Sequence, residues 1–418
     1  MAKLLIVFYP RSSYTDKIYK AFQSLPIVVL IGSRQVGKTT IMENLELDDN
    51  KIFLNGQNPE VAELFQKYSI LKDFLRINLN KTIKGYLFID EFQFIPGIST
   101  MLKLLVDEHK ELKIMCTGSS SLDILQKVEE SLAGRVRIIE VFSLSFEEYL
   151  LFSDSELHKR FKKYDIQTPK EIIDKQIPIK LNEYLLYGGL PRTVLQKQAE
   201  EKIEILDDIY RTYLLRDVRS YVRNEDTVGF NKMLRLLASQ IGSMVNVNEL
   251  SISSGLSYKK CAHYLSLLEQ MFIIKLLEPF HTNKRKVVSK MQKVYFTDIG
   301  LRNLIYGSFN QMNIRTDGGS IMENFIFLEI KRKLGKAGII NYFRTHDGVE
   351  VDFVINNYKK YIAIEVKSKE LLKPVFMRNM ESLAKVQSIN LNYVVNNGLN
   401  SEFKGFKFIL PYQVSGIV

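Results

Sequence analysis

The segment from Pro26 to Thr40 constrains this chain more than any other. Ile27-Val28-Val29-Leu30-Ile31 is continuously apolar, the mark of a strand buried on both faces of a parallel sheet. It runs directly into Gly32-Ser33-Arg34-Gln35-Val36-Gly37-Lys38-Thr39, which matches the Walker A pattern in full and opens a helix. Glycines there let backbone N–H groups wrap phosphates, and the helix start adds a favourable dipole. Lys38 is expected to reach the β- and γ-phosphates and Thr39 to hold Mg²⁺ through its hydroxyl; Thr40 completes the binding segment.

Two more apolar runs follow, at 86–89 and 112–116, with helical patterns between and after them and a further strand at 137–141. Alternating strand and helix predicts a three-layer α/β domain. The second run ends in Asp90-Glu91. Asp90 is expected to support Mg²⁺, and Glu91 to polarise the attacking water. The third run enters Thr117-Gly118-Ser119-Ser120-Ser121, where a hydroxyl, Ser119 foremost, is placed to sense the γ-phosphate. No Asn-Lys-x-Asp guanine motif occurs, so ATP is the expected nucleotide. Arg135 lies between this loop and the last core strand. It reads either as an arginine finger, in cis or on a neighbouring subunit, or as a plain salt bridge.

With 418 residues the chain has room for two or three domains. Hydrophobic residues at 46% and charged residues at 25% exclude wholesale disorder. The net charge of +11 favours a polyanionic partner such as double-stranded DNA. Cys116 and Cys261 are the only cysteines, which excludes a disulfide framework and fits a reducing cytoplasm. No run approaches the roughly 18 apolar residues of a membrane helix.

Residues 143–240 are mostly of helical period, interrupted at Gly188-Gly189 and Pro191. From 232 to 298 the pattern is helix, short helix, turn, helix and hairpin, the outline of a winged helix. Lys259 and Lys260 fall on the free face of the helix after the turn, the expected recognition helix, and Lys284, Arg285, Lys286 and Lys290 cluster in the wing, as candidate DNA contacts. The last hundred residues read as a helix and two strand pairs, an α+β domain.

Gly32 to Thr40, Leu87 to Gln93, Thr117 to Ser121 and Gly134-Arg135 resemble the AAA-type ATPases of bacteria and archaea that carry a C-terminal domain of unknown function, a branch close to the STAND regulators. The likeness continues through Tyr187-Gly188-Gly189-Leu190-Pro191, Tyr213-Leu214-Leu215-Arg216-Asp217 and Tyr295-Phe296-Thr297-Asp298-Ile299-Gly300-Leu301. The resemblance implies ATP, Mg²⁺, a winged helix and a restriction-endonuclease-like C-terminal fold. The expected division is an ATP-binding domain at 1–150, a helical lid at 151–235, the winged helix at 236–305 and the nuclease-like domain at 306–418.

Asp352, then Glu365 and Lys367 two residues apart on one strand face, resemble the PD-(D/E)xK nuclease pattern, with Glu323 on the preceding helix as a further acid. Two carboxylates beside a lysine suit a metal-dependent nuclease: the acids hold a divalent cation and the lysine positions water. Surface acids on a retained but inactive fold are the competing account. The primary expectation is an ATPase coupling Mg-ATP turnover to a C-terminal half that faces DNA or a protein partner. A nucleotide-gated interaction protein with little turnover, and a DNA nuclease regulated by ATP, are the alternatives. An arginine finger acting in trans would require an oligomer.

Overall fold

Apolar runs buried on both faces become the inner strands of a sheet, and this chain follows that rule. The structure, a computed structural model, describes residues 9–47, 50–119, 130–217, 221–280, 291–334, 338–358, 360–375 and 377–417. It divides into two compact units, Met1–Phe142 with Gln270–Phe272, and Ser143–Glu269 with Ile273–Val418.

In the first unit β1 (Ile27–Ile31), β2 (Lys51–Asn55), β3 (Gly85–Asp90), β4 (Leu112–Gly118) and β5 (Val136–Glu140) form one sheet in the order β2-β3-β4-β1-β5. Every pairing is parallel. One face, with Ile27, Val29, Leu87, Ile89, Ile114 and Cys116, shares a core with Leu71, Leu75, Leu102 and Leu105 from the helices Tyr68–Asn78 and Ile98–Glu108. On the other face Val28, Leu30, Phe88 and Met115 are equally buried, and Phe22 of the helix Ser12–Ser24 meets Tyr86 edge-on. Because the strands are parallel, their carboxyl ends gather along one edge of the sheet. Gly32, Asp90 and Ser119 follow or end β1, β3 and β4 there.

The second unit opens with helices, including Phe146–Ser153, which Ser145 and Glu148 start with a reciprocal capping box. The motifs 187–191 and 295–301 meet in its interior. Asp298 accepts from Gly189 N at 2.9 Å and caps the helix Ile299–Tyr306 through Leu301 N at 3.0 Å. Gly188 has φ +75°, and a Cβ there would stand 2.3 Å from Asp298 Oδ1. These motifs therefore carry a packing joint. The side chains of residues 215–217 in the third motif lie outside the described residues.

The helices Val247–Ser254 and Tyr258–Gln270 precede an antiparallel hairpin, β6 (Ile274–Leu277) with β7 (Lys293–Phe296). The expected wing, with Lys284, Arg285, Lys286 and Lys290, lies outside the described residues. Beyond the helix Gly318–Lys333, the strands β8 (Ile339–Arg344), β9 (Glu350–Asn357), β10 (Lys360–Lys367), β11 (Leu391–Asn396), β12 (Ser401–Phe403) and β13 (Phe406–Ile409) form one sheet, ordered β12-β13-β11-β10-β9-β8. β10 runs antiparallel to β9 and parallel to β11. The chain leaving β6 continues along this sheet's edge: Phe280 N donates to Tyr342 O at 2.6 Å and Tyr342 N to Glu278 O at 3.2 Å.

Candidate active site

The loop after β1 is shaped by backbone that few side chains tolerate. Gly32 has φ +149°, and a Cβ there would collide with Val141 O at 2.2 Å. Gln35 and Gly37 follow with φ 63° and 92°, turning the chain into the helix Lys38–Glu43 in the manner of a phosphate-binding loop. Thr40 lies exposed on that helix. Lys38 is 6% exposed and donates to Gly32 O at 3.0 Å and Ser33 O at 2.8 Å. Burial lowers its pKa to about 8, against the pull of Glu91 and Asp90. A buried ammonium held by two carbonyls near two carboxylates is poised for a polyanion.

Asp90 ends β3, two strands from β1, yet Thr39 Oγ1 lies 3.0 and 3.1 Å from its carboxylate oxygens. Thr117 at the end of β4 also donates to Asp90 and accepts from Glu91 N at 3.3 Å. Thr39 and Asp90 thus present hard oxygen donors together beside the phosphate loop, a set that fits Mg²⁺. Glu91 sits at φ 49°, a left-handed conformation costly for a residue with a Cβ. That turn aims its carboxylate to accept from Ser119 Oγ at 3.2 Å and from Gln93 Nε2. Lys38, Thr39, Asp90, Glu91 and Ser119 are therefore brought together; Ser120 and Ser121 lie outside the described residues.

Gln93 and Arg11 were not singled out by pattern, and Thr117 was named only as part of its loop. Thr117 and Gln93 brace the two acids. Arg11, 5% exposed, donates to Val36 O at 2.8 Å and Phe142 O at 3.0 Å, tying the phosphate loop to the chain beyond β5.

Arg135 must be corrected as a finger acting in cis. It precedes β5, and its carbonyl accepts from Ile27 N, so it stands at the amino ends of the strands. Five residues of strand, roughly 16 Å at 3.3 Å each, separate that end from the phosphate loop. Its guanidinium grips Asp107 with two bonds, 2.8 and 3.1 Å, in the salt bridge that was the simpler expectation. Lys260 also departs from the free-face reading: its ammonium turns to Asp226 at 2.6 Å and Glu225 at 3.5 Å. Lys259 is exposed.

A second polar cluster lies in the C-terminal sheet. The β9–β10 ladder ends with Ile364 opposite Phe353, so the next residues outward, Glu365 and Asp352, meet at its mouth. Asp352 Oδ2 accepts from Val366 N at 2.7 Å. Glu365 accepts from Lys367 Nζ and Asn379 Nδ2, both at 2.6 Å. Glu323 comes from the helix Gly318–Lys333 and accepts from Tyr295 OH at 2.6 Å. The ammonium of Lys293, from β7, lies 2.9 Å from Glu323, 2.5 Å from Glu350 and 4.0 Å from Asp352. Burial and the charge of Asp352 push both Glu323 and Glu365 up to about 7. The three carboxylates overcome the burial of Lys293 and raise its pKa. Among the described residues no group of three or more His, Cys, Asp or Glu side chains is arranged to hold a metal ion. Among them, too, no helix is long and apolar enough to cross a membrane.

Comparison with known proteins matches residues 24–150 to an AAA domain, 179–311 to a domain of unknown function (DUF8612) and 318–414 to another (DUF4143). An uncharacterized protein of Methanocaldococcus jannaschii is 27% identical over 384 residues, covering 89% of this chain and 82% of its own. One of Haemophilus influenzae is 23% identical over 385 residues, covering 88% of each. The Walker-type ATPase PABY2304 of Pyrococcus abyssi aligns with a TM-score of 0.48 at 13% identity, over 71% of this chain and 96% of its own. The chain carries an α/β AAA domain with a P-loop, joined to a C-terminal domain of the DUF4143 kind.

Proposed function

We propose that the chain binds and hydrolyses Mg-ATP at residues 32–40 and uses the cycle to drive its second unit against DNA or a protein partner. The observation carrying this reading is the chain of contacts from Thr39 through Asp90 and Thr117 to Glu91, with the Glu91 carboxylate fixed by Ser119 and Gln93. Thr39 and Asp90 would hold Mg²⁺, which would offset the negative charge of the phosphates. Lys38 exchanges the carbonyls of Gly32 and Ser33 for phosphate oxygens. Glu91 accepts a proton from water, and Ser119 registers whether the terminal phosphate is present. Arg135, at the far edge of the sheet, can meet a nucleotide only on another chain.

In the same reading residues 236–305 act as a winged helix. The helix Tyr258–Gln270 beside the β6–β7 hairpin, the exposed Lys259 and the net charge of +11 support duplex DNA as the partner.

The test is steady-state ATP hydrolysis by wild type and Glu91→Gln, with and without duplex DNA, alongside nucleotide binding. Glu91→Gln is expected to keep binding and lose roughly 10²–10⁴-fold in turnover. Wild-type turnover in Glu91→Gln would remove that residue as the base. A DNA-insensitive rate would remove DNA as the coupled partner.

A further inference from the structure

The nuclease-like pattern calls for a divalent cation between Asp352 and Glu365, and the donor set does not fit one. We infer that Lys293 is the built-in cation of this carboxylate cluster and that the C-terminal sheet works without a divalent metal. The argument is geometric. Lys293 is 1% exposed, and its ammonium touches Glu323 and Glu350 while facing Asp352 at 4.0 Å. It reaches the cluster from another element, β7, so the sheet's own sequence gives no sign of it.

The oxygens a metal would need are already spent. Glu323 Oε1 takes both Lys293 and Tyr295. Against Glu323 Oε2 lies Gly242, where an added Cβ would stand 3.1 Å away. Glu350 is shared between Lys293 and Arg344, the latter at 2.7 Å. Glu365 has both oxygens engaged, by Lys367 and Asn379. Asp352 keeps one oxygen, Oδ1, turned toward Lys293. Four carboxylates (323, 350, 352 and 365) thus face three cations, the buried Lys293 and the partly exposed Arg344 and Lys367. Mg²⁺ or Mn²⁺ demands about six oxygens at close range and repels an ammonium in the same position. The cluster consequently fastens the β6–β7 hairpin to the sheet, and any nucleic acid met by this face is held rather than cut through a metal.

The experiment titrates Mn²⁺ into the nucleotide-free full chain and follows free Mn²⁺ by electron paramagnetic resonance to about 1 mM. Asp352→Asn keeps an oxygen that can accept from Val366 N. Wild type and Asp352→Asn are expected to superimpose, whatever the phosphate loop binds in both. Lys293→Met, with the ammonium gone, is expected to gain one Mn²⁺ that Lys293→Met/Asp352→Asn loses, and to recover part of its lost thermal midpoint when Mn²⁺ is added. A wild type that loses one bound Mn²⁺ on Asp352→Asn overturns the inference, as does a folded Lys293→Met that gains none. If Lys293→Met does not fold, the comparison of wild type with Asp352→Asn decides alone.

Discussion

Nucleotide affinity should fall with pH through one side chain. Lys38 is buried against carbonyls, and its pKa is lowered from 10.5 to about 8. Phosphates arriving at the loop favour its charged form and bring the pKa back up, so binding takes up a proton whenever the free lysine has lost one. With a free pKa near 8, about nine-tenths of the chains carry the charge at pH 7 and about one-tenth at pH 9. Affinity is therefore expected to drop about tenfold over that interval, ~1.4 kcal/mol. The free protein has the opposite sign. Between pH 8 and 10.5 its unfolded state binds more protons than the folded one, so the stability of the nucleotide-free chain rises with pH there. The assay is a fluorescent-ATP titration at pH 7, 8 and 9 at constant salt and Mg²⁺. Lys38→Met should bind weakly with no pH slope over this range. Glu91→Gln removes one of the charges that hold the pKa up, so its midpoint should move lower. A flat wild-type profile, or an equal slope in Lys38→Met, would refute the reasoning.

Arg11→Ala leaves two buried carbonyls without their donor and is expected to cost about 1–3 kcal/mol in denaturant unfolding, together with a raised KM for ATP. Arg135→Ala breaks a half-exposed pair and should leave turnover and melting nearly unchanged; a large, concentration-dependent loss of turnover would instead place it in a neighbour's site. Gly188→Ala forces a Cβ onto Asp298 in a left-handed backbone and should lower the thermal midpoint without changing nucleotide affinity. Lys259→Ala should weaken duplex DNA binding and take about one unit from the salt slope in an anisotropy titration, whereas Lys260→Ala, whose charge is already paired with Asp226, should change the slope little.

The phosphate site was legible because its determinants are local. An apolar strand, two glycines and a Lys-Thr pair lie within thirteen residues, and each part requires the backbone its neighbours supply. Asp90 and Glu91 were legible as acids closing a buried strand, but nothing local indicates that β4 lies between β3 and β1. Arg11 was not legible, because the carbonyl that completes its site lies 131 residues away. The cis-finger alternative for Arg135 fails for a related reason, while its salt-bridge alternative is seen with Asp107: a residue just before a strand and one just after it are close in sequence but occupy opposite edges of a parallel sheet. In the C-terminal half, Glu365 and Lys367 were paired by the two-residue period of strands, and Asp352 was set beside them on an adjacent strand by the nuclease-like pattern. Lys293 was hidden because a lysine in Lys-Val-Tyr-Phe reads as an ordinary strand end until the fold carries it against three acids.

The way β6 runs onto the edge of β8, with Lys293 reaching in from β7, bears on how such proteins can be recombined. A fragment beginning at residue 306 would inherit the acids and leave their ammonium behind. A graft of the last hundred residues from a relative would pair new carboxylates with an old lysine. Substitutions at 293, 323 and 350 are thus expected to travel as a set, and the smallest transplantable piece begins at the hairpin rather than at the sheet.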